Sequence, residues 1–151
     1  MTNMHAEVTH REKFQFESTI RDHSFVMDTK QAAGGDNKGP SPKELLLSCI
    51  LGCTGMDVVA MLKKHNISPQ KLHISADAET RQEHPRVFLA VHLNFELEDS
   101  RLSPDVALDA VRQSLTKYCG VSAMVSKVSP IYYQVRLNGV EAGRGQADFG
   151  L

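Results

Sequence analysis

Three cysteines and one carboxylate carry the clearest chemical signal in this chain. Cys49, Cys53 and Asp57 follow one another at intervals of four residues in a long apolar segment, so a helix puts them on one face. Cys119 lies far along the chain, at the end of a second helical segment. A cysteine nucleophile reacts as its thiolate and needs a positive environment to lower its pKa. Buried packing explains a free cysteine equally well, because the thiol behaves as a small hydrophobe. Cys53 draws nothing from its own helix, since it lies twelve residues beyond the N-cap and the dipole fades within the first turn. An ionised Asp57 pushes the thiol the wrong way. The cation must come from elsewhere, and Lys43, Arg86, Arg81 and Lys13 are the candidates. Cys119 is better placed locally, just ahead of a short helix starting near Gly120. Cys49 is expected to pack rather than react, because helical partners one turn apart rarely meet disulfide geometry.

These residues need a scaffold. From His5 to Asp28 the alternation of Phe14 and Phe16, then Phe25 and Met27, predicts two or three antiparallel strands with a turn at Arg21-Asp22. A polar loop, KQAAGGDNKGP, follows over residues 30–40. Ser41, Pro42 and Glu44 then give a capping box with proline in the first turn, opening a helix that runs to about His65. Lys63 and Lys64 suit its negative end, and Pro69 forbids continuation. This helix is apolar on almost every side, so sheet or a partner chain must surround it. Within it, Gly52 and Gly55 each cost roughly 1 kcal/mol relative to Ala, which points to close approach by a neighbour or a substrate. Two strands follow, around Leu72–Ala78 and Val87–Leu97, joined through Gln82–Pro85. A second helix begins at Ser103-Pro104, and a last strand spans Ile131–Leu137. Residues 141–151, with three glycines, are expected to form a flexible tail behind a single domain over 1–140. The expectation is an α+β fold with antiparallel sheets wrapped around buried central helices in an intertwined homodimer.

Composition narrows the function. The 151 residues carry 17 Lys plus Arg against 18 Asp plus Glu, a net charge of -1, too balanced for a nucleic-acid binder. Residues 45–62 approach membrane-spanning length, but Asp57 in their middle favours a buried helix and no membrane partner. An odd cysteine count and a charged first twenty residues that do not read as a signal peptide fit a reducing cytoplasm. Residues 34–41, GGDNKGPS, have phosphate-loop spacing, but Pro40 replaces the required lysine. The seven histidines lack metal spacing, although His73 and His92 could meet across a sheet. No cofactor and no metal are therefore expected.

Gly39-Pro40-Ser41-Pro42-Lys43-Glu44-Leu45-Leu46-Leu47, then Gly52-Cys53-Thr54, Asp57-Val58-Val59 and Lys117-Tyr118-Cys119 resemble the OsmC/Ohr family. Within it they are most similar to the YhfA-type branch, as is the hairpin ETRQEHPRVF over residues 79–88. The resemblance implies thiol-dependent reduction of organic hydroperoxides. Cys53 falls on the peroxidatic position and Cys119 on the resolving one. It further implies a lipoyl- or thioredoxin-type dithiol as reductant. Lys43, Glu44, Asp57 and Arg86 are the residues that could stabilise the thiolate or line its pocket. The chain departs from the family's Ohr branch in one respect. That branch pairs its thiol with an Arg from a Gly-Gly-Arg segment and a Glu directly after the helix-start proline; here Lys43 follows Pro42 and no Gly-Gly-Arg precedes residue 28. Glu44 is turned about 100° from that position. The alternative expectation is a non-catalytic dimeric module of the same fold that binds a hydrophobic ligand or partner.

Overall fold

The computed structural model describes residues 3–150. The chain divides into two compact units, Met1–Leu46 and Leu47–Leu151. The first holds an antiparallel sheet of β1 (Glu7–His10), β2 (Phe16–Ile20) and β3 (His23–Met27), in that order. Phe14, read as part of a strand, sits in the turn before β2, where Lys13 takes a positive φ of 48° and Gln15 N–H bonds the Glu12 carbonyl at 2.8 Å. The glycine-rich loop after β3 closes on a buried carboxylate. Asp28 accepts backbone N–H bonds from Thr29 at 2.7 Å, Lys38 at 3.0 Å and Asp36 at 3.1 Å. These bonds, that of Lys38 foremost, hold the Asp28 carboxyl below its usual range. A β-carbon on Gly39 would run into the Val26 carbonyl oxygen. The loop's amides thus bind the chain's own carboxylate, consistent with setting aside a phosphate loop there.

Helix α1 spans Pro42–Lys64. Glu44 reaches back to accept the Ser41 N–H at 2.7 Å, as a capping box requires. The Ser41 hydroxyl also turns to Glu44, at 2.7 Å. The far end closes with Asn66 in the left-handed region (φ 57°) and Ile67 N–H on the Leu62 carbonyl at 3.1 Å.

The second unit builds on a four-stranded sheet of order β4-β5-β6-β7: β4 Lys71–Thr80, β5 Phe88–Glu98, β6 Ile131–Leu137 and β7 Val140–Gln146. β5 and β6 run parallel, so this sheet is mixed rather than wholly antiparallel. The connection between them is long enough to cross over. It contains α2 (Pro104–Gln113), a π turn (Ser114–Tyr118) and α3 (Gly120–Ser126). β7 corrects the expectation of a flexible tail: residues 140–146 pair antiparallel with β6, and a β-carbon on Gly143 would meet Leu108 of α2. Glycine there serves close packing, not mobility. His73 pairs with Glu96 and His92 with Asp77, so the two histidines do not meet across the sheet. His92 stacks instead on Tyr132, ring centroids 5.3 Å apart.

Alternation fills the core. Val91, Leu93, Phe95 and Leu97 of β5 and Ile131, Val135 and Leu137 of β6 are buried, together with Ala107, Ala110 and Val111 of α2. Each large side chain contributes roughly 1.5–3 kcal/mol by leaving water. α1 adds Ile50, Val58, Met61 and Leu62 from one face. Its other face, carrying Cys49, Gly52, Met56 and Ala60, is exposed in the single chain. The expected complete burial of α1 is therefore not met by one chain alone.

Candidate active site

Two elements of the second unit carry the site. α1 presents Cys53, Thr54 and Asp57 within one turn. The crossover brings Ser114, Cys119, Val121 and Ser122, which the π turn positions. Cys119 N–H bonds the Ser114 carbonyl at 2.9 Å, a five-residue step that adds a residue to the turn. Cys119 then leaves the helix with ψ of 98° and becomes the N-cap of α3. Helix α2 therefore ends earlier than its apolar spacing predicted, and Tyr118 turns outward with the Lys117 ammonium 5.1 Å from its ring centre.

The Cys53 sulfur, the Cys119 sulfur and a carboxylate oxygen of Asp57 all lie within 4.8 Å of one another. Cys119 is fully buried, whereas Cys53 is half-buried and Cys49 exposed. The Cys119 sulfur bonds Ser122 twice, accepting its N–H at 3.3 Å and donating its thiol proton to the hydroxyl oxygen at 3.0 Å. The buried Thr54 hydroxyl lies 3.6 Å from the same sulfur and 2.9 Å from the Ile50 carbonyl. The Ser114 hydroxyl donates to Asp57 at 2.8 Å, satisfying a carboxylate on an otherwise apolar helix.

The electrostatics of Cys53 follow from these neighbours. Burial pushes its thiol up to about 11, with further upward pressure from Cys119 and Asp57. The Val121 backbone N–H works in the other direction. Gly55 has a neighbour that explains it, since a β-carbon there would stand 3.0 Å from Ile74 Cδ1 of β4. Gly52 faces open space.

The structure thus brings together Cys53, Cys119 and Asp57. Lys43 and Glu44 belong to the first turn of α1 in the N-terminal unit, where Glu44 is engaged with Ser41 and held below the usual carboxylate range by those bonds. Arg86 lies exposed in the β4–β5 loop, its Nε on the Gln82 carbonyl at 3.1 Å. Lys13 is paired with Asp36 at 2.6 Å and Arg81 with Glu83 at 3.3 Å. Thr54, Ser114 and Ser122 were not singled out as site residues from sequence. Ser122 had a signal, standing three residues after the N-cap Cys119. A cleft of about 520 Å³, lined by His65, Leu108, Arg112 and Tyr133 among others, contains no cysteine.

A helix-borne cysteine facing a second one at the head of a short helix, beside a mixed sheet, defines an OsmC-type α+β protein. A sequence profile described as OsmC-like protein matches residues 35–134, and the chain belongs to this family. It is 32% identical to Protein YhfA of Escherichia coli K12 over 105 residues, 70% of this chain and 75% of that protein. A hypothetical protein from Aquifex aeolicus superposes with a TM-score of 0.78 at 25% identity, over 91% of this chain and 99% of that one. The organic hydroperoxide resistance protein OhrB of Bacillus subtilis gives 0.64 at 19% identity, over 87% and 98%.

Proposed function

We propose that the chain reduces organic hydroperoxides with its cysteine pair. The carrying observation is the approach of the Cys53 and Cys119 sulfurs to within 4.8 Å from elements 66 residues apart in sequence. Cys53 is the more exposed of the two and meets the peroxide first. Its sulfur takes the distal oxygen of ROOH, giving a sulfenic acid and ROH. Cys119 then attacks that sulfur, releasing water and closing a disulfide. A dithiol of lipoyl or thioredoxin type returns both thiols and is itself oxidised to its disulfide. The peroxide-resistance description of the Bacillus subtilis neighbour supports this reading. So does the apolar setting of α1, which suits an organic peroxide better than hydrogen peroxide. One equivalent of cumene hydroperoxide followed by disulfide mapping tests it. A Cys53–Cys119 bond is expected; two thiols still open to alkylation would end the proposal.

The protein works, in this reading, as a cytoplasmic homodimer paired through its central helices. Met56, 76% exposed on the outward face of α1, is a large apolar side chain that such a contact would cover. One observation favours a second reading, a non-catalytic dimeric module binding a hydrophobic ligand or partner. A thiol pushed up to about 11 is scarcely ionised at neutral pH. Disulfide mapping after peroxide separates the two, since a non-catalytic module leaves both thiols open to alkylation.

A further inference from the structure

We propose that Cys53, Cys119 and Asp57 form a binding site for a thiophilic divalent cation of the zinc class, held by two sulfurs and one oxygen. The three donor atoms lie within 4.8 Å of one another. A tetrahedral zinc ion with bonds of about 2.0–2.3 Å needs its ligand atoms roughly 3.5–3.8 Å apart. An adjustment of about 1 Å closes the difference, which side-chain rotation on a helix and a helix cap provides. Two sulfurs exclude magnesium and calcium, which take oxygen, and select a soft or borderline ion.

The surroundings are built as a ligand shell is built. Ser114 bonds one carboxylate oxygen of Asp57 at 2.8 Å and leaves the other available. Ser122 fixes the Cys119 sulfur through its N–H at 3.3 Å, and the Val121 N–H is directed at Cys53. Such outer partners orient ligands and tune affinity. Three donors that are all anionic when ligating repel one another unless a cation joins them, and a metal deprotonates its thiols outright. Cys53 is only half-buried, which leaves a fourth position open to water or another small ligand. Metal binding and disulfide formation use the same sulfurs at incompatible spacings, so each state excludes the other.

The test uses the reduced full-length protein and Zn²⁺ or Co²⁺ alone. One equivalent of Zn²⁺ per chain is expected to bind, slowing alkylation of Cys53 while leaving the exposed Cys49 unprotected. Co²⁺ should give the near-ultraviolet charge-transfer absorption of thiolate ligation. Cys119→Ser and Asp57→Asn should each weaken binding at least tenfold, Cys49→Ser should not, and diamide-oxidised wild-type protein should bind none. No binding by the reduced protein, or binding unchanged by both Asp57→Asn and Cys119→Ser, would overturn the site. The readout involves no peroxide, so its failure leaves the reductase reading to its own disulfide test.

Discussion

The Ser122 hydroxyl lies 3.0 Å from the fully buried Cys119 sulfur, and its N–H lies 3.3 Å from it. In the proposed reaction Cys119 is the resolving thiol, and a serine bonded to it twice would set the direction of its attack. Ser122→Ala keeps the N–H and removes the hydroxyl. The variant should lose about 1 kcal/mol of stability in a denaturant titration. Disulfide formation after one equivalent of peroxide should slow about tenfold, with sulfenic acid at Cys53 accumulating to a level that dimedone captures. Unchanged kinetics would reduce Ser122 to a packing residue.

Cys53 supplies a pH prediction with a defined sign. Burial raises its pKa to about 11, so below that value the thiolate fraction grows with pH. Iodoacetamide labelling of Cys53, followed by peptide mass spectrometry, should rise about tenfold per unit from pH 7 to pH 10. Asp57→Asn removes one upward influence and should speed labelling at pH 8. A plateau reached by pH 7 in the wild-type protein would contradict this environment and favour an activated nucleophile.

Met56 tests the assembly. It stands on the exposed face of α1, away from the buried face of Ile50, Thr54 and Val58. Met56→Lys should leave the far-ultraviolet circular dichroism unchanged and shift the mass measured by light scattering from dimer to monomer. A wild-type protein already monomeric at micromolar concentration would remove the dimer from the proposal.

Asp99 anchors the start of the crossover and predicts acid behaviour. Its buried carboxylate accepts the Arg101 N–H at 2.8 Å, Arg101 Nε at 3.0 Å and a terminal guanidinium nitrogen at 2.8 Å. The Arg101 side chain is the foremost cause that lowers its pKa to about 2. A depressed carboxylate stabilises the fold above its unfolded value, near 3.8, and loses that contribution as pH falls through about 2. Asp99→Asn should melt lower than wild type at pH 6, with the gap narrowing below pH 4 and closing towards pH 2. A gap independent of pH would show that the ion pair adds nothing.

Much of this was legible in the residues because local signals agreed with one another. Ser41, Pro42 and Glu44 marked the start of α1, and Ser103-Pro104 marked that of α2, whose Ser103 hydroxyl accepts the Val106 N–H at 3.3 Å. Alternation marked β5 and β6. The cysteine spacing, together with its family resemblance, named the pair that the crossover joins. What escaped depended on tertiary partners. β7 reads as a tail because Gly143 and Gly145 lack side chains, and only the packing of Leu108 and Tyr133 against them shows why. Ser114 and Thr54 carry no mark of their place at the site, since their partners there lie 57 and 65 residues away. The π turn is invisible to a period of 3.6, so the end of α2 was placed too late.

That turn ties the reach of the sulfur pair to a residue count. Between Gln113 and Cys119 the chain is wound one residue wider than an α-helix, and everything after it is set by that surplus. Deleting one residue from 114–118 would restore ordinary winding and swing the following segment by about 100°. Cys119 would then arrive facing another direction, although the residue itself is unchanged. A shortened protein of this kind should fold, carry all its thiols, and yet never cross-link them.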